Sequence, residues 1–517
     1  MIVKKMHKAV NILIALIVLM GMTGSTVQPR GAEINSAHPL LLKMAVAEPD
    51  QIVSVIAQKV DKTDLAESMV THLGGKITKD LHIINAFAAE LTVGAALELA
   101  RHPSVRWVSL DVAIERTKKE GGKPDREVFE EPLPLNYYLD TLNVRPVWEM
   151  GFQGQGVSVA VVDSGITQIK DFQVDPKTGK PDSRVIEQLS FNYNAVSNGD
   201  VSGHGTHVAG IIGGSGYNSD YLYQGMAPQV NLISLRVSDD NGQAYESDVV
   251  DALQWVYENK DFYNIRVVNL SINSTVTSSY HTSPMSAAAE ILWFNGVVVV
   301  ASVGNKGSGT SNTADASPAH DPFIITVGAS EENGTSDRSD DKEASFSAFG
   351  TTYDGFTKPN IYAPGKDIIS TLSNSGQWSS LYPDRLVGDD YFRLSGTSMA
   401  APMVSGAVAL LLQNEPNLTP DQVKYRLINS AGQIGSSGKY LDVYSALTST
   451  TTESANTGVE ASRMLWSGDE PVLWESVAWN SVAWNSVAWN SVAWNSVAWN
   501  SVAWNSVAWN SVFWGSD

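Results

Sequence analysis

The chain has no cysteine in 517 residues. Disulfides, thiolate metal sites and a cysteine nucleophile are thereby excluded. Basic residues are scarce as well: 35 Lys and Arg stand against 55 Asp and Glu, for a formal net charge of −20. That balance argues against nucleic acid as the main partner, because phosphate contact needs a basic surface. The apolar run near the N-terminus, Ala9 to Met20, is short for a bilayer span. It follows Lys4, Lys5 and Lys8 and precedes small and polar residues that end near Gly31-Ala32. This is the layout of a signal peptide over 1–32, with an uncleaved anchor as the alternative. Export fits a chain that must fold without redox help.

What is present points to several segments. The length exceeds one ordinary domain, and 43% hydrophobic residues can build a large core. Gln51 to Ile56 alternates like a strand, and Thr63 to Leu73 reads as a helix capped by Thr63 and stopped by Gly74-Gly75. Ile77 to Leu91 reads as a hairpin, Val93 to Ala100 as a helix and Arg106 to Ile114 as a last strand. The order βαββαβ predicts a small ferredoxin-like α+β module within 33–117. Residues 118–135 form a charged linker rich in Gly and Pro, where nicking concentrates.

From 136 to 447, strands alternate with helices. Val157–Val162, Val267–Ile272, Val297–Ser302 and Phe323–Val327 are apolar runs suited to strands buried on both faces. A helix is predicted after a Ser247 cap, with Val249, Leu253 and Val256 on one face. Another runs from Ser398 to Leu412. The prediction is a doubly wound α/β domain with a mostly parallel sheet. A polar linker, 448–475, follows. Ser-Val-Ala-Trp-Asn then repeats seven times without a break from Ser476 to Asn510. These repeats make 476–517 a Trp-rich tail.

Three motifs carry chemistry. Val161-Val162-Asp163-Ser164-Gly165 ends a strand, and a carboxylate there can orient an imidazole. Gly203-His204-Gly205-Thr206-His207 opens a helix and offers one base. Gly396-Thr397-Ser398-Met399-Ala400-Ala401-Pro402 places a hydroxyl at a helix start, where free N–H groups favour a developing anion. Taken singly, each has a plain structural reading. Together, in the order Asp, His, Ser, they supply the three groups of an acyl-transfer triad.

Those motifs resemble the subtilase family of serine proteases, over roughly 33–447. The resemblance implies that Asp163 orients, His204 is the base, His207 a packed neighbour and Ser398 the nucleophile. Val297 to Asn305 is similar to the family's oxyanion strand, which makes Asn305 the side-chain donor to the oxyanion. Ser271-Ile272-Asn273 resembles the strand that pairs with the substrate backbone, although the family usually has glycine where Asn273 stands. Gly242 to Tyr245, with Gly242 and Ala244 as candidates, is the opposing edge. Ala316-Ser317-Pro318 resembles the floor of the primary pocket, with a cis bond before Pro318 as in relatives. Met403 stands where relatives often have histidine. Gly75-Lys76-Ile77 with Ile83 to Leu91 resembles an inhibitory propeptide, so the chain's own 33–117 is an expected inhibitor.

No cofactor is required by this chemistry. The resemblance admits calcium as a structural ion, with Asp171, Asp175, Asp182, Asp337, Asp340 and Asp341 as candidates. No contiguous ligand pattern appears, and no metal site is assigned. The expected function is a secreted endopeptidase acting on polypeptides. The alternative is a cell-surface binding or aggregating protein whose tail carries the main role. Period five suits neither helix nor strand simply. Attachment to wall polymer, to a membrane interface or to itself stands beside packing on the catalytic domain or neutral expansion.

Overall fold

The computed structural model describes residues 36–116, 134–178, 180, 182–307, 314–467 and 470–471. The expected signal peptide, most of the first linker and the repeat tail lie outside the described residues. Among those described, no helix is long and apolar enough to cross a membrane.

After a first helix, Pro39–Ala47, come four strands: β1 (Ile52–Lys59), β2 (Lys76–Leu81), β3 (Ala86–Thr92) and β4 (Val105–Leu110). They form an antiparallel sheet in the order β2-β3-β1-β4. The helices Leu65–His72 and Val93–Ala100 complete the βαββαβ order. Thr92 caps the second, its Oγ1 accepting from Ala95 N–H at 3.3 Å. The predicted last strand, Arg106 to Ile114, is in fact two. Asp111 leaves the sheet because its carboxylate accepts from Ser247 N–H at 2.9 Å and Ser247 Oγ at 2.7 Å. The chain then re-forms as β5 (Ile114–Arg116), outside that sheet.

The main sheet is built from apolar runs. Seven of its strands, β6 (Ser158–Asp163), β7 (Val185–Ser190), β8 (Asn231–Arg236), β9 (Ile265–Leu270), β11 (Val298–Ser302), β12 (Ile325–Glu331) and β13 (Ile361–Pro364), run parallel. Lys342–Glu343 pairs antiparallel with β12, and the antiparallel pair Gly432–Ile434 and Gly438–Tyr440 extends the edge beyond β13. β10 (Ile272–Ser274) follows β9 and pairs elsewhere. The order is β7-β8-β6-β9-β11-β12-β13. Every residue of β6 and β11 is buried, as strands covered on both faces must be. The helices His204–Gly213 and Thr397–Asn414 pack together on one side, the latter over β9, β11 and β12. The helices Glu246–Asn259 and Pro284–Phe294 pack on each other and against β6 and β11. The chain enters at β6, crosses to the edge strand β7, fills back with β8 beside β6, then passes to β9 on the other side of β6. The reversal beside β6 makes a crevice beyond its carboxyl end.

The N-terminal sheet rests on the Glu246–Asn259 helix through β2, and Leu81, Ile83 and Ile84 join the same apolar core as the main domain. Two boundaries differ from expectation. The Glu246–Asn259 helix is capped by Tyr245, whose N–H donates to Asp248 at 2.9 Å; Ser247 sits inside the first turn and binds Asp111 instead. The expected linker 448–475 is packed structure as far as Leu465. Ala461, Ser462, Met464 and Leu465 are buried. Ser462 N–H donates to Glu290 at 2.7 Å, and Gln58 Nε2 to the Met464 carbonyl at 2.7 Å. Alternating polar residues hid a segment whose few apolar side chains find a groove.

Candidate active site

Asp163 is the last residue of β6 and His204 the first of its helix, so the sheet delivers one to the other. His204 Nδ1 lies 2.7 Å and 2.9 Å from the two Asp163 oxygens. Both side chains are buried. The approach needs glycine: a Cβ on Gly205 would meet the Gly165 carbonyl at 2.2 Å. Gly203, at φ +100°, turns the chain into the helix. Trp378 presses an edge-on ring against His204, centroids 5.7 Å apart.

A residue that sequence reasoning missed holds this half together. Asp200 is buried and accepts four bonds. They come from Ser164 Oγ (2.8 Å), Gly203 N–H (2.7 Å), Thr206 N–H (2.8 Å) and Thr206 Oγ1 (2.6 Å). It ties the end of β6 to the first turn of the His204 helix. Burial pushes its pKa up in spite of those donors. The available signal was a carboxylate four residues before a helix start. His207 is the packed neighbour expected: Nε2 meets the Phe392 carbonyl at 2.9 Å, and burial pushes the imidazole down to about 3.

Ser398 lies in the first turn of the Thr397–Asn414 helix. Pro402 has no N–H, so the Ser398 carbonyl loses its helical donor. Ser271 replaces it: its Oγ donates to the Ser398 carbonyl at 3.1 Å, and Ser398 Oγ donates to the Ser271 carbonyl at 3.2 Å. Asn269 Nδ2 donates to Ser271 Oγ at 3.0 Å and fixes it. His204 Nε2 is buried and has no hydrogen-bond partner.

Asn305 follows β11. Its Oδ1 accepts from Thr397 N–H at 2.9 Å and Thr397 Oγ1 at 3.0 Å, which leaves Nδ2 buried and unpartnered beside the Ser398 turn. Thr397, also unforeseen, thus aims the amide.

The expected substrate edges already hold a strand of this chain. Ile272, Asn273 and Ser274 pair antiparallel with Arg116, Glu115 and Ile114. On the other edge Ile114 N–H donates to the Ala244 carbonyl at 2.8 Å, and Glu246 N–H to the Val112 carbonyl at 3.1 Å. Glu115 also meets Lys306 at 2.9 Å. Gly242 stands apart, in a turn where its N–H donates to the Asp239 carbonyl. Ala316 bridges Thr277, and the Ser317–Pro318 bond is cis.

Four of the calcium candidates accept hydrogen bonds from their own chain, while both Asp341 oxygens are buried without a hydrogen-bond partner. Asp171 accepts from Asn218 N–H at 3.0 Å and Tyr391 Oη at 2.7 Å; Asp175, Asp337 and Asp340 accept from neighbouring loop groups. Among the described residues no three acidic or imidazole groups gather as a metal site.

The family model of the subtilases, Peptidase_S8, matches residues 154–461. Serine protease AprX of Bacillus subtilis (strain 168) is 38% identical over 281 residues, which cover 53% of this chain and 61% of AprX. Subtilisin NAT of Bacillus subtilis subsp. natto is 30% identical over 432 residues, covering 83% of this chain and 95% of that protein. Among solved structures, fervidolysin from Fervidobacterium pennivorans, a keratinolytic enzyme related to subtilisin, superposes with a TM-score of 0.59 at 24% identity. That match covers 79% of this chain and 62% of fervidolysin, and shows the fold. Parallel sheet, switch-point crevice and family match agree: the chain belongs to the subtilase family of serine endopeptidases.

Proposed function

We propose that this chain is the precursor of a secreted endopeptidase that cleaves polypeptides through Asp163, His204 and Ser398. The observation that carries the reading is the buried Asp163–His204 pair at the switch point, facing a groove that binds an extended strand. Asp163 accepts from Nδ1–H and so leaves Nε2 as the base. Ser398 Oγ turns from the Ser271 carbonyl toward that nitrogen, gives up its proton and attacks the scissile carbonyl. The oxyanion takes Asn305 Nδ2 and the Ser398 backbone N–H as donors. His204 returns the proton to the leaving amine, and water repeats the sequence to release the acyl product. Substrate adds as a strand between β10 and Ala244, so backbone contacts supply much of the binding.

Residues 33–117 act as an inhibitory propeptide, supported by β5 lying in that groove. The first cut falls in the linker 118–135 that follows the module. Export through residues 1–32 and attachment through the tail complete the proposal; calcium enters no step. The test is expression of the full chain, with fluorophosphonate labelling of Ser398 and N-terminal sequencing of the product. An unlabelled, uncleaved, folded chain would overturn the reading.

A further inference from the structure

The strand in the groove runs toward Ser398: Ile114, Glu115 and Arg116 pass Ser274, Asn273 and Ile272 in turn. The side chain next to the scissile bond is therefore received between β10 and the turn Ser302–Asn305. Asn273 occupies that space. It is 5% exposed, and its Nδ2 donates to the Ser302 carbonyl at 3.0 Å. It also lies 3.6 Å from where a Cβ on Gly304 would stand. The carboxamide thus spans the gap from β10 to the oxyanion turn. Below it the floor is closed, because Ser274 N–H donates to the Ser317 carbonyl at 2.8 Å and Ala316 bridges Thr277. Asn273 Oδ1 is buried and has no partner.

We propose that Asn273 is a specificity-determining residue that selects a small, hydroxyl-bearing side chain on the acyl side of the scissile bond. This deepens the protease reading and rests on it. Where the family usually has a hydrogen, this chain has a carboxamide, and a packed site cannot hold that group and an aromatic ring together. Admitting Phe or Leu means breaking the bond to Ser302 and burying the Asn273 amide without that acceptor. Admitting Ser or Thr does the reverse, since a hydroxyl can donate to the waiting Oδ1. Alanine fits but leaves that oxygen unpaired.

The test uses the full chain, matured, on quenched peptides Ile-Glu-Arg-Xaa that differ only in Xaa: Ser, Thr, Ala, Leu or Phe. Rates are normalised to the sites labelled by a fluorophosphonate, which needs no occupant of this pocket. The wild type should favour Ser and Thr over Phe roughly tenfold or more, and Ser over Ala about threefold. Asn273→Gly should raise the Phe-to-Ala ratio of kcat/KM by roughly tenfold, and Asn273→Ala should erase the preference for Ser over Ala. A wild type that cuts after Phe or Leu best, or a ratio unchanged in Asn273→Gly, would overturn the proposal while labelling leaves the protease reading standing. A wild type that is not labelled at all overturns both. If Asn273→Gly fails to accumulate, the wild-type profile and Asn273→Ala decide.

Discussion

On the Asp163–His204 side of the groove every orienting atom is taken. Both Asp163 oxygens lie within hydrogen-bond reach of His204 Nδ1, Ser164 N–H adds a bond at 2.7 Å, and Asp200 behind them accepts four donors. On the side facing substrate the reverse holds: His204 Nε2, Asn305 Nδ2 and Asn273 Oδ1 are buried without partners. A buried polar group left unpaired costs about 1–3 kcal/mol. At these three atoms a reacting chain would relieve that cost. Groups that orient are satisfied by the fold; groups that act are left for substrate and transition state.

Changes on the two sides should therefore fail differently. Ser398→Ala should lower turnover by about 10⁶-fold, the scale seen in relatives with this triad, and barely move the melting temperature. Mass spectrometry should find the N-terminal module still attached, whereas clean removal in pure mutant would sink self-processing. Asn305→Ala should lower kcat by about 10²–10³, again a scale taken from the family, with KM near native. Equal turnover in mutant and wild type would remove Asn305 from the oxyanion site. Asp200→Asn belongs to the satisfied side and should cost stability first. It presents an amide to N–H donors and should lose about 2–3 kcal/mol. A melting temperature lower by about 5 °C is expected, and an unchanged one would break the comparison.

The smallest effect sits at the edge of the groove. Burial raises the Asp111 carboxyl to about 6 while Ser247 donates to it. A carboxyl with a raised folded pKa contributes most below its unfolded value near 3.8, and that contribution is lost as pH rises through about 6. In the Ser398→Ala precursor, the N-terminal module should thus loosen between pH 4 and 6.5. Asp111→Asn should flatten this part of the curve of melting temperature against pH. Identical curves for both proteins would show that Asp111 does not couple the module to the Glu246–Asn259 helix.

Much of this was legible in the residues. Valine runs named the buried strands β6, β9 and β11, and the turn between Ile77 and Leu91 named the β2–β3 hairpin. The run Phe323–Val327 was placed early, since β12 spans Ile325–Glu331. Asp163 and His204 were found because a strand end and a helix start each leave a local mark in small neighbouring residues. Asp200 left only a carboxylate four residues before a helix start, a pattern common to many helices, and the role of Thr397 depends on Asn305, far away in sequence. The segment 451–465 was misjudged for a related reason: its polar composition masks the few side chains that meet Glu290, His281 and Gln58.

By itself, then, the sequence determined which residue types stand at strand ends and helix starts, the βαββαβ and β/α order, and the chemistry those groups can perform. Such features depend on backbone sterics and on periods of two and 3.6 residues, which a short window contains. Only the tertiary structure decided that Ser271 would answer Pro402 by binding the Ser398 carbonyl. It also decided that Asp111 would draw the chain out of one sheet and into the groove, and that Asn273 would reach Ser302. Each of these joins residues 29 to 136 positions apart. Such contacts form when packing brings the groups together and burial makes an unpaired group costly, and no local pattern records them.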